Sequence, residues 1–146
     1  MKRVVVDASV ALKWFFRLRD GEQDVAAALR LLQGVSDNQV ALLQPPHFIA
    51  EVAAVLARQW PSMALASLND LLDLEMLVVE SAAIYARAVD LASRHGHHLF
   101  DTLYHAVALE LGNALLITAD ARYARKARSE GGIVLLADFD FNALRG

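Results

Sequence analysis

Four carboxylates in this chain stand where carboxylates are least expected. Asp7 closes the apolar run Val4-Val5-Val6, and Asp120 closes Leu115-Leu116-Ile117-Thr118-Ala119. Glu51 lies inside the apolar stretch from Phe48 to Leu56, and Asp101 opens the stretch Asp101-Thr102-Leu103-Tyr104-His105-Ala106-Val107-Ala108-Leu109. An ionised carboxylate beside a core is costly unless positive charge meets it. One divalent cation shared by several carboxylates meets that cost. Mg2+ takes oxygen ligands, and Mn2+ suits the same set. Such a site fits phosphoryl chemistry, because the ion neutralises phosphate oxygens and lowers the pKa of a bound water. Ser9 and Thr118, each two residues from an acid, are placed to hydrogen-bond ligand carboxylates or waters.

Plainer uses exist for the same residues. Asp7, Asp101 and Asp120 are each good helix N-caps. Ser9 and Thr118 can cap a helix or a strand end. Glu51 differs, since the apolar pattern puts it well inside a helix, too late to cap it. Among its neighbours three and four positions away, only His47 can carry positive charge.

The elements that must position these acids follow from the pattern. Val4 to Val6, Val40 to Leu43, Leu77 to Val79, Leu115 to Thr118 and Ile133 to Leu136 read as short buried strands. Between them lie helical segments at Ala8 to Leu18, Glu22 to Val35, Pro46 to about Gln59, Ser62 to Leu74, Ala82 to Arg94, Leu99 to Leu111 and Ala121 to Ser129. Asp20-Gly21, Ser36-Asp37-Asn38, Pro45-Pro46, Gly112-Asn113 and Gly131-Gly132 punctuate them. Strands alternating with helices predict an α/β layered fold with a mainly parallel sheet. In such sheets ligands bind beyond the carboxyl ends of the strands. Asp7 and Asp120 both stand at that edge.

Composition sets the bounds. A length of 146 residues fits a single domain, 1–146, and 56% hydrophobic residues exclude a disordered chain. The net charge of -3 provides no global basic field, so a polyanion must be held by a local patch or through metal. With no cysteine there is no disulfide and no thiolate zinc site. Lys2-Arg3 precede only three valines before Asp7, so neither a signal-peptide core nor a membrane span is expected, and the cytoplasm is the expected location. Asp138 to Gly146 reads as a short surface tail.

Taken in order, Val-Val-Val-Asp-Ala-Ser, Pro-Pro-His-Phe-Ile-Ala-Glu-Val, Phe-Asp-Thr-Leu-Tyr-His-Ala-Val-Ala and Leu-Leu-Ile-Thr-Ala-Asp resemble the motifs of the PIN-domain family. The chain is most similar to the VapC-like toxins of toxin–antitoxin modules. The resemblance covers nearly all of it. It implies a three-layer PIN-like fold with a parallel sheet flanked by helices, and a ribonuclease dependent on Mg2+ or Mn2+. It also implies a cognate antitoxin protein and a homodimer. By motif match the metal-binding, catalytic acids are Asp7, Glu51, Asp101 and Asp120. Two departures stand out. Ala121 and Arg122 occupy the place where some members carry a further acid, which leaves a second metal open. His105 stands where the family more often has an aliphatic residue, and reads as a core or partly exposed histidine.

Other features complete the reading. Arg122, Arg125, Lys126 and Arg128 follow Asp120 and form either an RNA phosphate-binding patch or a solvated helix face. Lys13, Arg17 and Arg19 are a weaker version of the same idea. His95, His97 and His98 look like a metal tract, but a helix end with a polar loop is the expectation. Trp14, Phe15 and Phe16 are too many adjacent aromatics for one narrow helix face, so either some are exposed and suit a partner interface or all share a broad core contact. Two functions of other classes remain beside the nuclease. One is a noncatalytic PIN-like interaction module. The other is a phospho-acceptor receiver-type domain, which would want paired acids after the first strand and a lysine after the last.

Overall fold

The computed structural model describes residues 1–144. Five strands form one sheet in the order β3-β2-β1-β4-β5, and every pairing is parallel. These are β1 (Lys2–Val6), β2 (Val40–Gln44), β3 (Met76–Val78), β4 (Leu115–Thr118) and β5 (Ile133–Leu135). The helices are α1 (Ala8–Phe15), α2 (Val25–Ser36), α3 (Phe48–Gln59), α4 (Ala64–Leu72), α5 (Ala82–His95), α6 (Leu99–Leu111) and α7 (Ala121–Ala127). The chain moves outward from β1 to β3, then returns to β4 and β5. Right-handed crossovers therefore put α1 to α4 on one face and α5 to α7 on the other. None of the described helices is long and apolar enough to cross a membrane.

The middle of the sheet is the middle of the core. Val4, Val5 and Val6 are fully buried, each contributing about 1.5–3 kcal/mol of transfer free energy. α6 lies over β1 and β4 and is backed by α5. The strand order reverses between β1 and β4, so the switch-point crevice opens where both strands end. Buried Gln44, at the end of β2, fixes that edge. Its side-chain amide accepts from Val6 N at 2.7 Å and donates to Val6 O at 2.8 Å. Asp7 N donates to Ile117 O at 3.1 Å, which ties the next residue to β4.

Several boundaries differ from the sequence reading. α1 stops at Phe15, three residues early, and α2 starts only at Val25, after Asp24 in the left-handed region. α3 starts at Phe48 rather than at Pro46, which places Glu51 in its first turn, not deep inside it. Trp14 and Phe16 are buried, Trp14 donating its indole N–H to Ala28 O at 2.9 Å. Of the two alternatives, the core contact therefore holds for both; Phe15 alone is half-buried. The stretch from Asp138 is not simply a surface tail. Phe139 packs into the core and meets Phe141 edge-on at 4.9 Å, while the Arg30 guanidinium covers Phe141 at 4.2 Å. The end of that stretch, residues 145–146, lies outside the described residues.

Candidate metal centre

The carboxylates approach one another through different elements. Asp7 caps α1, its Oδ1 accepting from Ser9 N at 3.3 Å. Asp120 caps α7, accepting from Tyr123 N at 3.0 Å. The capping use therefore applies to both, in addition to their place in the crevice. Asp101 is no cap: it sits in the first turn of α6, where His98 holds the cap position and its Nδ1 accepts from Phe100 N at 3.1 Å. Oxygens of Asp7, Glu51 and Asp101 lie within 4.8 Å of one another. A second group joins Asp101 and Asp120 to the His97 imidazole, with its ligand atoms again within 4.8 Å. Asp101 belongs to both.

Ser9 and Thr118 hold this frame. Thr118 Oγ1 donates to Asp7 Oδ2 at 2.8 Å and accepts from Asp120 N at 3.0 Å. Ser9 Oγ accepts from Ala119 N at 3.1 Å. Each hydroxyl thus links the ends of β1 and β4, and Thr118 touches both strand-end aspartates.

The electrostatics are unfavourable to a pocket of acids alone. Burial pushes the Asp7 carboxyl up to about 6, against the Thr118 and Ser9 hydrogen bonds, and the charges of Asp101 and Glu51 push the same way. Asp101 is also raised, first by burial and then by Glu51, with His97 opposing. Among the described residues three buried side-chain atoms have no hydrogen-bond partner: Glu51 Oε2, His47 Nδ1 and the hydroxyl of fully buried Tyr104. Burial raises the Tyr104 phenol, with Glu51, Asp7 and Asp101 adding to it, so it stays protonated beside the acids. The basic side chain beside Glu51 is His47, whose Nε2 is 3.4 Å away but also lies 2.8 Å from Phe100 O. Orphaned oxygen in a partly buried, oxygen-rich pocket matches the donor set that Mg2+ or Mn2+ takes. Asp7, Glu51 and Asp101 are the residues that would hold such an ion, and Asp120 joins them only through Asp101.

The PIN domain family model matches residues 4–129. The chain belongs to the PIN domain family. No curated protein matches it. Among solved structures it is similar to the sarcin–ricin loop cleaving toxin VapC20 of Mycobacterium tuberculosis, with 19% identity, a TM-score of 0.63, and coverage of 84% of this chain and 93% of that one. It is also similar to DNA-bound VapBC of Salmonella typhimurium, at 15% identity and TM-score 0.62, covering 92% and 97% of the two chains. FitAcB of Neisseria gonorrhoeae gives 18% identity and TM-score 0.62, covering 93% and 99%.

Membership places the remaining features of this PIN domain. His105 is a core residue. Its Nε2 faces Gly131 O at 2.7 Å and its Nδ1 faces the Tyr123 hydroxyl at 2.8 Å, away from the acids' open side. Burial lowers its pKa, which keeps it neutral. The basic cluster divides. Arg125 and Arg128 line a cleft of about 420 Å3 along β5, whereas Lys126 Nζ reaches Gly96 O at 3.4 Å and Arg122 is exposed. Lys13 leaves the list of candidate RNA contacts, because it is buried and paired with Glu22 at 3.0 Å.

The sequence reading missed two residues of the site. Tyr104 lies three positions after Asp101, the spacing that shares a helix face. His97 lies four positions before Asp101, but Gly96 at φ +57° ends α5 and turns the chain there, so helix spacing gave no guide. The helix-end and polar-loop expectation fits all three histidines, and His97 in that loop also lies within reach of Asp101 and Asp120. His95 instead pairs with Glu130 at 2.9 Å, and His98 caps α6.

Proposed function

We propose that this PIN domain is a divalent-metal-dependent endoribonuclease, the toxin of a toxin–antitoxin pair. One observation carries the reading: carboxylates of Asp7, Glu51 and Asp101, remote in sequence, converge within 4.8 Å in a crevice where Glu51 Oε2 has no partner. Mg2+ or Mn2+ bound there would neutralise phosphate oxygens and supply a hydrolytic water at neutral pH. The chain's own part is positioning. Thr118 and Ser9 aim Asp7 and pin the ends of β1 and β4, while the Tyr104 hydroxyl offers an unused proton donor from below. Exposed Arg122 and the Arg125–Arg128 cleft provide phosphate contacts beside the pocket. The cleaving toxin VapC20 and the VapBC complex among the similar structures support the same reading, with a cognate antitoxin as partner; a homodimer and a cytoplasmic setting are part of the proposal.

An antitoxin would meet the pocket with an arginine, whose planar fork pairs well with carboxylates. Its apolar anchors would seat in the hollow of about 360 Å3 lined by Trp14, Phe15, Leu18, Trp60 and Met63, rather than on buried Phe16. PIN membership removes the receiver-type alternative, and Asp7 has no acidic neighbour to make such a site. The noncatalytic PIN-like module is separated by cleavage assays. RNA should be cut with Mn2+ or Mg2+ and left intact with chelator. Binding of RNA without cleavage under every metal condition would instead establish the noncatalytic module.

A further inference from the structure

We propose that His97 is a metal ligand, completing with Asp101 and Asp120 a second cation position joined to the first through Asp101. The proposal rests on reading the acidic pocket as a divalent-metal site and adds a nitrogen donor to it. His97 Nε2 lies 3.2 Å from Asp101 Oδ2 and 3.6 Å from Asp120 Oδ2. The ring is held in place before any ion arrives. It packs against the Tyr123 ring at 4.8 Å between centroids, and its side chain is only 11% exposed. The left-handed turn at Gly96 delivers it, and Lys126 Nζ, bonded to Gly96 O, steadies that turn. Asp120 is fixed through its cap contact with Tyr123 N, so one tyrosine orients both the imidazole and a carboxylate.

A second observation concerns the adjoining position, which shares Asp101 with this one. Tyr104 is fully buried, and its unpartnered hydroxyl faces Glu51, Asp7 and Asp101. The orphaned Glu51 Oε2 lies in the same group of acids. Without metal, the His97 ring nitrogen lies within reach of both the Asp101 and the Asp120 carboxylates. With metal bound, the same nitrogen would be one of its ligands. This arrangement replaces the extra acid that Ala121 and Arg122 do not supply.

The consequence is metal preference. Mg2+ keeps to oxygen ligands and water, whereas imidazole favours transition ions. The second position is thus suited to Mn2+ over Mg2+.

Pulsed electron paramagnetic resonance of Mn2+ on the full chain tests this directly. Imidazole nitrogen coupling to bound Mn2+ should appear in the native protein, persist in His47→Ala and vanish in both His97→Ala and His97→Gln. Melting curves give a second readout: Mn2+ should raise the melting temperature more than Mg2+, and the gap should close in His97→Gln. Mn2+ binding with RNA cleavage but no nitrogen coupling, or coupling that survives both His97 variants, overturns the proposal and leaves the nuclease reading intact. Absence of any Mn2+ binding overturns both.

Discussion

Two buried polar regions meet along α6 and are built in opposite ways. At one, His105 places Nε2 against Gly131 O and Nδ1 against the Tyr123 hydroxyl, which uses the donor and the acceptor of a neutral imidazole. At the other, Asp7, Glu51 and Asp101 crowd together, Asp7 is pushed up to about 6, and Glu51 Oε2 and the Tyr104 hydroxyl have no partner. The first closes its hydrogen bonds and serves the fold. The second leaves them open and opposes the fold, which makes sense for a group that completes it from outside. Burial of a polar residue therefore does not mark a site; its unmet demand does.

The largest expected effect is on Asp7. Asp7→Asn should lower RNA cleavage by at least about 100-fold while circular dichroism stays native, because loss of a direct ligand exceeds the loss of its supporting groups. Normal cleavage at saturating Mn2+ would remove Asp7 from the site. Thr118→Val should weaken metal affinity by about 10–100-fold, as it deletes the donor to Asp7 and the acceptor for Asp120 N. The Thr118 hydroxyl lowers the Asp7 pKa, so its loss should also move the acid limb of the cleavage profile to higher pH. In the native protein that limb should lie below about 6, the metal-free Asp7 value, because bound metal competes with the proton. A limb unmoved in the variant would separate Thr118 from the site.

The contrasting region predicts the reverse pattern. His105→Leu leaves the Tyr123 hydroxyl and Gly131 O unpaired and should cost about 1–3 kcal/mol of stability, measured by urea unfolding. Cleavage per folded molecule should not change; a pure activity loss at native stability would place His105 in the site. Smallest is the basic cluster. Neutralising Arg125 and Arg128 should lower the slope of log affinity against log salt by up to about 1.4 for single-stranded RNA. An unchanged slope would make the β5 cleft a solvated surface only.

The sheet and the acids were legible in the sequence because each signal was local. Short β-branched runs ended in aspartates, and strand ends are where parallel sheets bind ligands. Glu51 was legible as an oddity, although its depth in α3 was misjudged: Pro46 could have opened the helix, but the chain turns there and begins at Phe48. What local patterns could not give were contacts set by tertiary packing. Trp14 finds its acceptor on Ala28 of α2, Lys13 its partner Glu22 across a loop, and His97 its carboxylates across the Gly96 turn. Phe139 likewise enters the core from what reads as a polar end.

The most direct measurement of the central claim is unfolding free energy against pH for the native protein and Asp7→Asn, in chelator and in Mn2+. Asp7 rises from an ordinary 3.8 to about 6 in the fold, so the native state holds more protons than the unfolded state between those values. Its contribution therefore falls as pH rises through that window, by about 3 kcal/mol in all. In chelator at pH 7.5 the Asp7→Asn protein should be the more stable of the two, with the difference shrinking toward pH 4. Mn2+ should raise the native protein by more than the variant, which keeps only the His97, Asp101 and Asp120 position. A folded Asp7→Asn protein that is less stable than native in chelator, and equally stabilised by Mn2+, would contradict the account.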